Sequence, residues 1–353
     1  MKIWLIALFI LSGCSSNKKE KDFQASLDKP GELTPEAQVE APEKLLEKFE
    51  VEKIETVTGT EKKTLEQKIS PAKDTNKSVV VKHKAIKPAL PLTQDVPVNK
   101  LPKDYPAPLV SVNAKAEKVW SKYKPNHIVD QKVFLDIHYL GMTVGKIMVT
   151  NRGKKMINGK EVWHFHSRFK SAPFYSNIYE LDDTVDTYVT TDQFLSSRYS
   201  LIQRETKQNV DDLQLHDREQ MKTFWFYKQK KSNGDIKNKE KKEYIPYFSI
   251  DPFSVLFLFQ GLPMKNGDIY EIPIINKGKI LILRSEVEGR EEIQTELGDK
   301  KSIRIHATTK YTGETLKDGD LYFWFSDNAS RTLLKAQAKI KIGSVTADIV
   351  DGK

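Results

Sequence analysis

Much of the chain from about Val119 onward alternates apolar and polar residues with a period of two. In VFLDIHYL, Val133, Leu135, Ile137 and Tyr139 share one face; in EVWHFHSRF, Trp163, Phe165 and Phe169 lie opposite Val162, His164, His166 and Arg168. In TLLKAQAKIKI, Leu334, Ala336, Ala338, Ile340 and Ile342 alternate with Leu333, Lys335, Gln337, Lys339 and Lys341. Successive side chains on a strand point to opposite faces, so this period marks half-buried antiparallel strands. Asn158-Gly159, Asn233-Gly234, Asn266-Gly267, Lys277-Gly278 and Asp318-Gly319 separate the runs and predict hairpins between neighbouring strands. The pattern predicts a mainly β domain over residues 119–353: one long antiparallel sheet, strongly curved into a half-barrel or barrel-like shape.

One stretch breaks the alternation. In SIDPFSVLFLFQGLP, Asp251 suits an N-cap, Pro252 the first helical position, and Gly261 with Pro263 a stop. Phe253, Val255, Leu256, Phe257, Leu258 and Phe259 leave this helix almost no polar side, so it must be covered on most faces. The concave surface of the sheet is the place that offers such cover. There the helix either plugs the curve as core or borders a cavity for an apolar ligand.

The pattern before Val119 is different. Lys2 precedes eight apolar residues, Ile3 to Ile10, a run of signal-peptide length and about half of a membrane span. Leu11, Ser12, Gly13 and Cys14, the one cysteine of 353 residues, resemble a bacterial lipobox, in which the thiol receives diacylglycerol. The expectation is a signal peptide over 1–13 and a mature chain lipidated at Cys14, held on a membrane by acyl chains. Ser15 after the cysteine resembles the sorting signal for the periplasmic face of the outer membrane.

Residues 14–118 read as a disordered tether. Ten of the sixteen prolines fall between Pro30 and Pro108, and Phe23, Phe49 and Tyr105 are the aromatics of the segment. Too little apolar surface is present to offset chain entropy. The piece PEKLLEKFEVEKIE spaces Leu45, Leu46 and Phe49 as a helix does and reads as a transient, solvated one. Lys18 to Glu66 carries 9 Lys against 13 acidic residues, and Ile69 to Lys118 carries 9 against 4. A flexible coil of about 100 residues would reach roughly 50 to 60 Å.

Candidate chemistry is sparse. His164 and His166, two apart on a presumed strand, point the same way, but no third ligand of evident spacing accompanies them, so they read as a polar surface face rather than a metal site. Asp182, Asp183 and Asp186 read as a solvated loop or sheet edge. Ser254 lacks the strand-turn-helix setting of a nucleophile, no glycine-rich phosphate loop occurs, and neither an enzyme nor a cofactor is expected. The formal charge of +9 includes the run KQKKSNGDIKNKEKKE over 228–243, which reads as a hairpin tip. No aromatic platform interleaves with those cations, so nucleic acid is not the expected partner.

The order of FLDIHYLGMTVGKIMV, IYELDDTVDTYV, Asp251-Pro252 with Ser254, Leu262-Pro263, VEGREEIQTELGDKKSIRIHA and LYFWFSDNASRTLLKAQAKIKIGSVTADI resembles the bacterial envelope family catalogued as domain of unknown function number 3108, over roughly residues 130 to 350. More distantly it resembles the half-barrel lipoprotein carriers, whose helices lie against a concave face that holds acyl chains. The resemblance implies a periplasmic, lipid-anchored, non-enzymatic module that binds an amphipathic ligand or an envelope protein. Phe253, Leu256 and Phe257 on the helix, with Trp163 and Phe165 on a facing strand, are the candidate ligand-binding residues. The alternative is a structural lipoprotein that bridges the membrane to the cell wall or to a partner, with no ligand cavity.

Overall fold

The computed structural model describes residues 39–54, 101–311, 314–315, 320–340 and 342–352. The expected signal peptide, Cys14 and the Asp318-Gly319 turn lie outside the described residues. In chain order the elements are α1 (Glu43–Lys48), β1 (Glu52–Lys53), α2 (Ala107–Trp120), β2 (Lys132–Tyr139), β3 (Met142–Ile157), β4 (Lys160–Ser171), β5 (Asp182–Thr190), β6 (Ser196–Glu205), β7 (Gln208–Asp217), β8 (Lys222–Lys231) and β9 (Ile236–Tyr244). There follow α3 (Val255–Gly261), β10 (Ile269–Asn276), β11 (Lys279–Ile293), β12 (Lys300–Tyr311), β13 (Glu314–Thr315), β14 (Leu321–Ser326), β15 (Leu333–Lys339) and β16 (Ser344–Val350).

The sixteen strands among the described residues form one antiparallel sheet. Two meanders make it, β2 to β9 and β10 to β16, sewn together where β16 pairs with β2 in the register Val345↔Tyr139 to Val350↔Phe134. The Asn158-Gly159 and Lys277-Gly278 turns take positive φ at both residues, as tight hairpins of right-handed twist require. The sheet's two ends, β9 and β10, are not paired with each other. The two meanders approach there through side chains: Lys277 Nζ, on the β10–β11 turn, lies 3.5 Å from the buried Asp212 carboxylate of β7. Inward residues from both meanders, among them Phe165, Leu201, Ile272, Leu283 and Ile305, share one core, so the sheet is curved and not closed.

The connection between the two edges, residues 245–268, crosses this interior and carries α3. Regular helix begins at Val255, four residues after Asp251, because the first turn is irregular. Asp251 nevertheless caps it: Oδ1 accepts the N–H groups of Phe253 and Ser254 at 3.0 and 2.9 Å. Its Oδ2 accepts the hydroxyls of Thr187 on β5, Ser196 on β6 and Ser254, each at 2.5 Å. Gly261 ends the helix for a packing reason rather than by a left-handed turn. A Cβ there would stand 2.3 Å from the Tyr123 ring and 2.5 Å from the Lys124 carbonyl oxygen.

Two N-terminal pieces correct the expected tether. The helix α2 begins at Ala107, so the packed body extends past the boundary expected at Val119. It buries Leu109, Asn113, Ala116, Val119 and Trp120, a helical stripe that the surrounding prolines and lysines obscure. Asn113 is core because its Oδ1 accepts the Tyr247 N–H at 2.6 Å while its amide donates to the Tyr105 hydroxyl at 3.2 Å. Farther back, residues 39–54 lie on the outer face of the sheet, docked through Phe49 while most of their polar side chains stay exposed. Phe49 is buried with Ile157, Val162, Leu213, Leu215 and Phe226, and Lys48 pairs with Asp217 at 2.9 Å. The strand β1 adds to the free edge of β3 beyond the end of β2, pairing Glu52 with Met156 and Lys53 with Lys155.

Replacing Asp251 with Ala removes a cap and the acceptor that three buried hydroxyls share. The expected loss is about 3 kcal/mol or more of folding stability, read from the shift of the urea midpoint. A loss under about 1 kcal/mol would show that the hydroxyls re-pair without it.

Candidate functional site

The helix α3 sits against the concave face as expected, and the five candidate residues converge there. The rings of Phe165 on β4 and Phe257 stack 3.7 Å apart at 12°. Phe253 meets Phe257 edge-on at 5.5 Å. All three phenylalanines are buried, whereas Leu256 and Trp163 are half-buried at the margin of the core.

What covers this margin is a segment with no periodic signal, residues 121–131, between α2 and β2. His127 of this segment is packed among Trp163, Phe165, Phe194 and Phe257, with the Phe194 ring 5.2 Å away and nearly parallel. Its Nε2 hydrogen-bonds the Tyr123 hydroxyl at 2.6 Å and its Nδ1 meets the Gln260 side-chain oxygen at 3.2 Å. Burial pushes this imidazole down to about 4, with the Gln260 contact opposing the shift. The space left between the segment, α3 and the sheet is about 20 Å³. Leu256, Phe257 and Phe165 form its apolar wall and Gln131, Thr150 and Gln260 its polar one. That holds one or two waters, against the several hundred Å³ of a site for a lipid-sized molecule. A wider open groove, about 200 Å³, lies elsewhere, where Val39 and Glu40 meet Phe226, Lys228 and Lys239.

The other face of β4 corrects two expectations. His164 and His166 do point the same way, but they are buried, 7% and 2% exposed, rather than a surface face. The acidic trio lies on β5, in the middle of the sheet rather than in a loop or at an edge. Alternation along the strand sends Asp183 inward and Asp182 and Asp186 outward. Asp186 stands directly opposite His166 in the ladder. Its Oδ1 is 2.6 Å from His164 Nε2 and 2.9 Å from His166 Nδ1. Burial alone would raise this carboxyl; the two imidazole contacts outweigh it and hold the group well below the usual carboxylate range. Burial also lowers the His164 imidazole, which stacks on Tyr188 at 4.4 Å. No spacing rule in the sequence joins these three residues; a strand register that aligns β4 with β5 would have done so. The basic run over 228–243 is the β8–β9 hairpin, with an edge strand that is almost wholly exposed, as expected.

A family model described as "Protein of unknown function (DUF3108)" matches residues 135–350, more than half of the chain. No curated protein matches. Among solved structures, the chain is similar to a β-barrel-like protein of the domain of unknown function DUF1849 from Brucella abortus, at 9% identity and a TM-score of 0.40. That likeness covers 62% of this chain and 95% of the other. A protein with a YmcC-like fold from Bacteroides fragilis is similar at 8% identity and a TM-score of 0.29, over 64% of this chain and 96% of its own.

The buried His127 makes stability depend on pH. Its folded value lies below the ordinary 6.5, so as pH falls below about 6.5 the unfolded chain takes up the proton first. The folded state loses about 3 kcal/mol from this group by pH 4, where it protonates too. Asp183 and Asp212, pushed up by burial to about 7 and about 6, act in the opposite sense. The readout is therefore the difference between wild type and His127→Gln: the variant's urea midpoint should fall less between pH 7 and 4. Parallel profiles would show that His127 is protonated or solvated in the fold.

Proposed function

This chain belongs to the DUF3108 family, and we propose that it is a non-enzymatic, lipid-anchored envelope protein that bridges its membrane to a partner as a solid β body. The observation that carries the reading is the interior. The space at the candidate residues, between α3, the 121–131 segment and β2 to β4, is about 20 Å³ where a carrier needs a lipid-sized cavity. Phe257 acts as packing against Phe165, and the hydroxyls around Asp251 are consumed in holding the helix. The lysines of β9 support the same reading, since cations along an exposed edge strand discourage indiscriminate strand addition while keeping the surface soluble. Anchoring through Cys14 follows from the lipobox-like residues that precede it.

A second reading, capture of an amphipathic ligand, draws on one feature. The small space under residues 121–131 has an apolar wall and a polar one, and it would widen if that segment swung away.

Two measurements test the proposal. Cys14→Ser should abolish incorporation of labelled acyl chains in a bacterial host; unchanged labelling overturns the anchor. Phe257→Ala should lose roughly 3 to 5 kcal/mol, as large-to-small changes in solid core do, and Leu256→Ala less because it is half-buried. In the same experiment, wild-type protein stripped of co-purified lipid should take up no apolar fluorescent probe. Stoichiometric uptake that either substitution alters would overturn the solid-body reading in favour of the ligand-binding one.

A further inference from the structure

We propose that His164, His166 and Asp186 form a binding site for a divalent transition-metal ion of zinc type on the outer face of the sheet. The three ligand atoms, His164 Nε2, His166 Nδ1 and an Asp186 carboxylate oxygen, lie within 4.8 Å of one another, and among the described residues no other three such side chains converge in this way. Two imidazole nitrogens and one carboxylate oxygen are a set that borderline-soft first-row ions accept, with a fourth position left for water or an exogenous ligand.

Their placement is rigid. His164 and His166 are two apart on β4, and Asp186 faces His166 across a continuous ladder on β5, so the triangle is held by backbone hydrogen bonds rather than by a loop. The ladder also explains why the site is readable in the fold and invisible in the linear sequence.

The contacts within the cluster converge on one atom. Both imidazoles address the same carboxylate oxygen, at 2.6 and 2.9 Å, so the two nitrogens already converge on one point. A cation drawing on both imidazoles and the carboxylate would give a reason for gathering these three side chains on adjacent strands, where the outer face passes from apolar Val162 to polar Thr150 and Ser200. The charge environment agrees. Arg152, more than a third exposed, holds its guanidinium 3.8 Å from the same Asp186 oxygen, so a positive charge is already favoured at the solvent side of the triangle. A metal ion would enter by displacing it.

The test uses the full-length chain in detergent, freed of metal with a chelator and titrated with Zn²⁺ by calorimetry and with Co²⁺ by visible absorption. One Zn²⁺ per chain should bind saturably, and Co²⁺ should give the d–d bands of a low-coordinate nitrogen and oxygen site. His166→Gln and Asp186→Asn should each weaken Zn²⁺ binding by more than the roughly 10- to 100-fold typical of an outer-shell change. Arg152→Gln, a substitution at a partly exposed position, should tighten it by removing a competing cation, and this variant keeps the test informative if the buried substitutions fail to fold. Absence of saturable one-to-one binding to folded wild type overturns the site. So does binding that is indifferent to His166→Gln and Asp186→Asn in folded variants, or weakened by Arg152→Gln.

Discussion

One buried carboxylate determines where the helix lies, and the interior is organised around that helix. Asp251 collects two backbone N–H groups on one oxygen and three hydroxyls, from two strands and the helix itself, on the other. An all-apolar helix has no directional contact of its own: its side chains would pack in many rotations about the axis with similar burial. The polar tie at its start removes that freedom. With the start fixed to β5 and β6, Phe257 meets Phe165 face to face, and Gly261 comes against Tyr123 and accepts the Lys124 N–H at 2.8 Å. The segment that seals the margin is therefore positioned by the far end of the same helix. Arg218 extends the network, donating to the carbonyls of Ser196, Pro246, Tyr247 and Ser249, so the chain leaving β9 is tied to β6 as well.

The strands, the hairpins and the helix were legible because each is written in a local pattern: alternation, Asn-Gly and Lys-Gly turns, a cap and a stop. The order in which the sheet closes its two meanders was not, since the β16–β2 ladder joins residues about two hundred positions apart. The helix α2 escaped notice for a different reason. Its stripe includes Asn113, whose burial makes sense only with Tyr247 and Tyr105 as partners, and Pro102, Pro106 and Pro108 suggest extended chain. The five aromatic and leucine positions of the candidate site lie on α3 with its irregular first turn and on the strand facing it, but their environment was open in the sequence. Whether the concavity is hollow depends on residues 121–131, which carry no period to read.

Burial of the two histidines shows the same limit from the other side. A His-x-His run in a strand normally signals a wet face. Here a second layer, contributed by residues 39–54, covers part of that face, and the polar side chains at its border pair with an acid on the neighbouring strand. Local composition assigned residues 39–54 to a solvated linker because three apolar side chains cannot make a core alone. They need only a prepared apolar surface to lie on, and Leu213, Leu215 and Phe226 supply it.

That docking changes the geometry of attachment. For a chain anchored at Cys14, only 24 residues, 15 to 38, separate the anchor from the first stretch pinned to the body. Even at full extension 24 residues reach at most about 80 to 86 Å, a quarter of the limit for about 100 residues. The next stretch, 55–100, runs between two fixed ends and adds nothing to standoff while the pin holds. Release of Phe49 and Lys48 from the sheet would place residues 55–100 in series with those 24 and raise that limit. For a chain so anchored, the limit of reach would be set by the contact of Phe49 with the sheet, not by the residue count of the whole N-terminal segment.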